Sequence, residues 1–174
     1  MRALATAVLL LVCCVAAAQP KEHEVKAAFL FKFLSFVEWP REALPSDSPI
    51  VIGLVGAEDV AAELQQIAAG RSVEGRRVVV RRVREGEPHA GVHLMFFGRG
   101  EAARLRELQR AAPTEPLLIV CEWDGALEAG AVVNFLRGDG RVRFEVALDA
   151  AERRSLRISS RMLSVAQSVK PGRL

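Results

Sequence analysis

The segment VKAAFLFKFLSFVEW, from Val25 to Trp39, decides how this chain folds. Five of the chain's ten aromatic residues lie in it, and no proline interrupts it before Pro40. Plotted at about 100° per residue, its apolar side chains cover one wide arc, as expected for a core-facing helix. Proline disfavours helical geometry in the preceding residue, so the helix is predicted to end at Trp39. The residues of the core arc are Phe29, Leu30, Phe33, Leu34, Phe36 and Val37.

The other side of this predicted helix is also apolar. It carries Phe31 and Trp39, with polar residues such as Lys32 and Ser35 between them. A surface helix is usually polar on the side away from its core. Two interpretations remain open: a helix buried all round, or a helix with one core face and one partner face. On the second interpretation Phe31 and Trp39, with Ser35 and Glu38 beside them, contact the partner.

The first residues of the chain have the pattern of a signal peptide. A positively charged N-terminus is followed by the apolar run Ala3–Val15 and by Ala16-Ala17-Ala18, an A-x-A cleavage site. Residues 1–18 are therefore predicted to be removed. The run is too short to span a bilayer comfortably. Cys13 and Cys14 leave a lipoprotein as an alternative. Residues 19–174 are then expected to form one exported domain.

Charge and cysteine content restrict the possible functions. The formal net charge of the chain is only +3, and export removes nucleic acid as a natural partner. Cys121 is the single cysteine after residue 18, which excludes an intrachain disulfide in the predicted mature domain. The densest basic cluster is either a solvated surface or a site for an acidic protein or an anionic ligand. It consists of Arg71, Arg76, Arg77, Arg81, Arg82 and Arg84.

Strands and helices alternate after Pro49, which predicts an α/β fold. The predicted strands are Ile50–Val55, Arg77–Val83, Val92–Phe97 and Leu117–Cys121, and the helices between them are Glu58–Ala69, ending at Gly70, and Glu101–Ala112. A hairpin of Ala131–Leu136 and Arg141–Leu148 follows, then helix Ala150–Ser155 capped by Asp149 and helix Ser160–Val169 capped by Ser159. The prediction is a single layered α/β domain, with a mixed, largely parallel sheet flanked by helices on both faces.

No catalytic set is visible in the sequence. Gly53-Leu54-Val55-Gly56 lacks the third glycine of a dinucleotide fingerprint, and the serines lack the glycines of a nucleophile elbow. The histidines show no metal-ligand spacing, and His93 is interpreted as a hydrogen-bonded histidine at the edge of the core. Glu122 and Asp124 follow the carboxyl end of a predicted strand, where small molecules bind in such sheets. The sequence therefore predicts neither an enzyme nor a cofactor.

Four stretches resemble the YfiR family of periplasmic proteins. They are EHEVKAAFLFKFLSFVEWP (Glu22–Pro40), VEGRRVVVRRV (Val73–Val83), HLMFF (His93–Phe97) and RVRFEVALDAAERRSLRISSRMLSVA (Arg141–Ala166). The resemblance implies a periplasmic α/β protein that often dimerises and represses a membrane-bound diguanylate cyclase by binding its periplasmic domain. It also implies an outer-membrane lipoprotein that sequesters the repressor. Relatives have a cysteine before the histidine of HLMFF, where this chain has Val92, so redox control does not carry over.

Two classes of function remain in competition. The first is an interaction protein that represses an inner-membrane diguanylate cyclase or sensor kinase, and so lowers cyclic di-GMP and biofilm formation. The second is a small-molecule-binding module that reports to such a partner through Arg76, Arg161 or the loop around Asp124. The partner-binding residues expected for the first class are Phe31, Ser35, Glu38, Trp39, Ser159, Ser160 and Arg161.

Overall fold

The computed structural model describes residues 20–138 and 141–172. The predicted signal peptide lies outside the described residues, as do Asp139 and Gly140 of the predicted hairpin turn. The elements are α1 Glu22–Phe33, β1 Val37–Glu38, β2 Ile50–Val55, α2 Glu58–Ala68, β3 Ser72–Val73, β4 Arg76–Arg82, β5 Leu94–Phe97, α3 Ala102–Ala111, β6 Leu118–Cys121, β7 Val133–Gly138, β8 Arg141–Ala147, α4 Leu148–Arg153, β9 Arg157–Ile158, α5 Ser160–Ser164 and β10 Ser168–Lys170.

The main sheet has eight strands in the order β10-β8-β7-β6-β5-β2-β4-β3. Strands β4, β2, β5, β6 and β7 are parallel, and β8 and β3 run antiparallel to β7 and β4. The β2–α2–β4 and β5–α3–β6 connections progress in opposite directions along the sheet. Right-handed crossovers then place α2 and α3 on opposite faces. The predicted fold class is confirmed.

The core is built around aromatic residues of α1. Phe33 is 2% exposed, and its ring contacts those of Phe135 on β7 and Phe144 on β8 at centroid distances of 6.0 and 5.1 Å. Phe29 is half-buried and contacts the same two rings. The central strands β5 and β6 are buried along their whole length, because helices cover both faces of the sheet there. Phe29 and Phe33 of the predicted core arc therefore face the sheet.

The predicted end of the first helix is wrong. α1 ends at Phe33, a turn follows, and Val37–Glu38 form a strand that pairs antiparallel with β9. The Ser159 amide also donates to the Phe36 carbonyl at 2.8 Å. Backbone pairing with a distant segment replaces the last helical turn, and the proline after Trp39 favours the extended geometry that this pairing needs.

The C-terminal elements also differ from the prediction. Asp149 does not cap α4, which begins at Leu148, two residues before the predicted start at Ala150, with Ala147 as its N-cap. The Ser159 cap is confirmed, since its hydroxyl accepts from the Met162 amide at 3.3 Å. α5 ends at Ser164 rather than Val169, because Ser168–Lys170 pairs with β8 as an edge strand. Across the described ranges, no helix has the length and apolar character needed to cross a membrane.

Candidate partner-binding surface

The pairing of β1 with β9 brings two predicted partner segments together. Val37 lies opposite Ile158 and Glu38 opposite Arg157, and α5 begins immediately after this pair at Ser160. All of the predicted polar partner residues are exposed except Ser159, which is half-buried because it caps α5. We call this region the ribbon surface; its residues are Ser35, Glu38, Trp39, Ser159, Ser160 and Arg161.

Trp39 connects the ribbon surface to the core through His93. The Trp39 indole Nε1 donates to the His93 carbonyl at 3.1 Å, and the two rings meet edge to face with centroids 6.4 Å apart. His93 Nδ1 accepts from the Val51 amide at 3.1 Å, so the proton is on Nε2, which donates to the Ala43 carbonyl at 3.1 Å. This confirms His93 as a hydrogen-bonded core-edge residue.

The environment of His93 favours its neutral form. Burial lowers the pKa of His93, the Ala43 carbonyl opposes that shift in part, and the positive charge of Arg76 adds to it. A neutral imidazole keeps both of its hydrogen bonds. His93 therefore fixes the loop after β1 against the start of β5.

Phe31 and Trp39 do not form one helical face. Phe31 is on α1 and Trp39 is on the extended segment after β1, so the predicted shared face depended on a helix that ends too early. Both side chains are half-buried and pack against the core. Their contact with a partner stays a prediction, and Trp39 is the one placed on the ribbon surface.

The three predicted ligand-binding residues do not meet in one pocket. Arg76 begins β4, and its guanidinium donates to the carbonyls of Leu44 and Pro45 at 3.5 and 3.4 Å. Asp124 is exposed and follows the carboxyl end of β6. Because β4 and β6 run in the same direction, Arg76 at the start of β4 and Asp124 after the end of β6 lie at opposite ends of the strands. Arg161 is exposed on α5, at the ribbon surface.

A crevice opens at the carboxyl ends of β2 and β5. The chain leaves β2 toward β4 and returns to the other side of β2 as β5, and ligands bind at such switch points in α/β sheets. The crevice has a volume of about 340 Å³. It is lined by Glu22, His23, Lys26, Gly56, Ala57, Glu58, Asp59, Val60, Arg99 and Glu122.

Lys26 is the buried charge of this crevice. It is 6% exposed, and its ammonium binds the carboxylates of both Glu22 and Glu122. The hydrogen bond from Lys26 lowers the pKa of Glu22, and Arg99 adds an ion pair to Glu22 at 3.4 Å. Lys26 was not predicted from the sequence. The i,i+4 spacing of Glu22 and Lys26 on a helix indicates an ion pair between them, whereas the contact with Glu122 depends on the tertiary fold.

Three side chains outside the crevice lining's ion pairs form a cluster of possible metal ligands. His23, Glu24 and Glu63 bring their ligand atoms within 4.8 Å of one another, a cluster that the sequence hides because Glu63 is on α2. Glu24 already accepts from the Lys21 amide at 3.0 Å as part of a capping box.

Burial raises the pKa of the Cys121 thiol well above its usual range, and neighbouring Glu122 adds to this, so the thiol is unreactive at neutral pH.

Comparison with known proteins identifies a family and related solved structures. A family model described as YfiR/HmsC-like matches residues 23–167. A conserved domain protein from Vibrio cholerae O1 biovar El Tor has a crystal structure similar to this chain, with a TM-score of 0.55 and 16% identity. The similarity covers 86% of this chain and 60% of the Vibrio chain, and it concerns the fold alone. No curated protein matches the sequence.

Proposed function

Because this chain belongs to the YfiR/HmsC-like family, we propose that it is a periplasmic protein that represses an inner-membrane diguanylate cyclase by binding its periplasmic domain. Repression lowers cyclic di-GMP and biofilm formation. The observation that carries the proposal is the ribbon surface, which joins parts of Glu22–Pro40 and Arg141–Ala166. These stretches carry the most specific family resemblance, and a shared surface gives both of them a role in partner binding.

The location restricts how such a protein can act. A protein confined to the periplasm controls a cytoplasmic reaction by stabilising one of two states of a membrane partner. Shifting an active partner to about 99% inactive requires a preference of roughly 5.5 kcal/mol for the inactive state. Trp39 offers apolar area for this preference. Exposed Glu38 and Arg161 would contribute mainly to the association rate and its salt dependence.

The proposal includes further partners and a location. A sensor kinase with a periplasmic domain is the alternative membrane partner. An outer-membrane lipoprotein competes for the same protein, and a homodimer is the expected oligomer. Export depends on residues 1–18. The protein acts by binding and catalyses no reaction.

Charge reversal at the ribbon surface should abolish repression. Deleting the gene should raise cyclic di-GMP and surface attachment, and a plasmid copy with its signal peptide should restore the low level. A copy carrying Glu38→Arg and Arg161→Glu should fail to restore it, because both residues are exposed and belong to the binding surface. The Glu38–Arg157 contact is a 3.5 Å ion pair between exposed side chains, so its loss costs little stability.

A control is the exposed ion pair of Glu128 and Lys170, neither of which belongs to the ribbon surface. A Glu128→Arg copy should repress like the wild type. The measurements are cyclic di-GMP by mass spectrometry and protein abundance in the periplasmic fraction. A cyclic di-GMP level that is the same in the deletion strain and the wild type would contradict cyclase repression. Full repression by the ribbon variant would contradict only the assignment of the ribbon surface as the binding site.

The crevice favours a second candidate, a module that binds a small polar molecule and reports it to the membrane partner. Lys26 and Arg99 supply cationic groups there, and Glu22 and Glu122 supply anionic groups. A metabolite panel in a thermal-shift assay separates the candidates. A ligand that stabilises the wild type and not Arg99→Ala supports the second function, whereas the first needs no ligand.

A further inference from the structure

One edge of β4 has free backbone hydrogen-bonding groups. The Val83 amide donates to the Leu54 carbonyl of β2 at 2.8 Å. Because alternate residues of a strand bond to the same neighbour, Val79 and Arg81 face β2, while Val78, Val80 and Arg82 point away from it. β3 pairs only with Arg76 and Arg77. The outward backbone groups from Val78 to Arg82 therefore have no strand partner within the described residues.

The chain itself keeps this edge open. β3 and β4 are joined by the two-residue turn Glu74-Gly75, whose φ angles of 50° and 80° suit a tight hairpin. Between the end of α2 and β3 the chain turns at Gly70, with a φ of 68°. β3 is thus limited to two residues and covers only the beginning of β4.

A groove accompanies the open edge on the side of α2. Its volume is about 380 Å³. Val78, Val80, Ala68 and Ala69 form its apolar part, where small apolar side chains fit, and the rest of its lining is Gln65, Gly70, Arg71, Ser72 and Arg77. On the opposite side of the strand Val79 is 37% exposed between Arg77 and Arg81. An added strand would therefore place alternate side chains in the groove and beside the arginines.

The arginines determine which strand can bind. Arg82 is paired with Glu58 at 2.6 Å, and the Arg81 guanidinium donates to the Pro88 carbonyl at 2.9 Å without meeting a carboxylate. Arg77 is exposed and has no ion pair in the described part of the chain. Pairing two copies of β4 antiparallel would bring these arginines close to one another, and like charges across strands destabilise pairing. Acidic side chains would instead complement them.

The other edge of the sheet lacks these features. β10 has three residues and is followed at once by Pro171, which cannot donate a hydrogen bond to a further strand. β4 has seven residues, three consecutive valines and no proline. Natural edges are usually blocked by short length, proline or charge. β4 is protected by charge alone, and that protection excludes basic and identical strands while admitting acidic ones.

We propose that the open edge of β4 binds an extended segment of another protein by strand addition, with acidic and small apolar residues in alternation. Backbone bonds to Val78, Val80 and Arg82 hold the segment, its apolar residues enter the groove, and its carboxylates face Arg77 and Arg81. No residue of the ribbon surface takes part, so this site is independent of the proposed cyclase contact.

The test uses a short labelled peptide of alternating glutamate and valine. Its affinity is measured by fluorescence anisotropy, and amide hydrogen exchange is followed by NMR. On binding, the amides of Val80 and Arg82 should become protected, while those of Val79 and Arg81, which already face β2, should change little. A peptide with lysine in place of glutamate should bind about tenfold more weakly or worse.

Two variants with the same charge change test the arginines. Arg77→Glu with Arg81→Glu should weaken the glutamate peptide about tenfold, whereas Arg106→Glu with Arg110→Glu on exposed positions of α3 should leave its affinity unchanged. Thermal melting checks that both variants fold. Equal affinity for the two peptides, binding without protection of Val80 and Arg82, or no binding at millimolar peptide would each overturn the proposal.

Discussion

Phe33→Ala should lower the free energy of unfolding by about 3–5 kcal/mol, because it empties a ring-sized space that its neighbours can refill only partly. The Phe33 ring lies against Phe29, Phe135 and Phe144, with centroid distances of 5.1 to 6.0 Å. These contacts connect α1 to the antiparallel part of the sheet. For a domain of this size the loss corresponds to a fall in Tm of about 10–15 °C.

The matched control is Phe31→Ala, which removes the same atoms from the same helix. Phe31 is half-buried, so the expected cost is only about 1–2 kcal/mol. Urea unfolding followed by far-UV circular dichroism gives both values for the purified domain. Equal costs for the two variants would show that Phe31 is core and would refute a second, partner-binding face on α1. A cost below about 1 kcal/mol at Phe33 would contradict the packing described above.

The core could be predicted from the sequence because its signal is local. Phe29, Leu30 and Phe33 of the predicted arc follow from helical periodicity alone and lie on α1, and β2 was predicted from Ile50 to Val55 as observed. The apolar strands β5 and β6 were also readable, since strands buried on both faces are nearly continuous apolar runs. Periodicity and burial agree in these elements, so no distant contact was needed to recognise them.

The errors occur where a distant segment decides the local structure. Phe36, Val37 and Glu38 have a pattern that fits a helix, yet the backbone of Arg157–Ile158 and the Ser159 amide hold them extended. Ser168–Lys170 continues a helical pattern and becomes a strand because β8 offers a free edge. Elements of two or three residues contain no periodicity of their own, so their pairing cannot be read from a single sequence.

The candidate site was only partly predictable for the same reason. Glu38 and Arg161 were both expected to be partner residues, but no sequence pattern indicates that β1 and β9 place their segments side by side. Arg76 and the loop around Asp124 were alternative ligand-binding positions, and the parallel strand order places them at opposite ends of the strands. The contact of Lys26 with Glu122 depends on α1 crossing the carboxyl end of β6, which is a property of the fold.

Lys26→Met should lower the free energy of unfolding by about 3 kcal/mol, since removing one member of a buried ion pair leaves the other uncompensated. Glu122 has a side chain only 12% exposed and would lose the ammonium that binds it. Glu22 would lose it too, but its side chain is 47% exposed, so water and Arg99 remain available. The cost therefore arises mainly at Glu122.

A double-mutant cycle identifies that origin. Glu122→Gln alone should cost less than Lys26→Met, because Glu22 still neutralises Lys26. The double variant should lose less stability than the two single losses added together, since no unpaired charge remains at the carboxyl end of β6. Lys170→Met breaks an exposed ion pair with Glu128 and should leave the free energy of unfolding unchanged within error. Urea unfolding of the four variants gives the coupling directly. Additive losses within error would mean that Lys26 stabilises α1 through packing of its alkyl chain, and that the carboxylate of Glu122 is solvated without it.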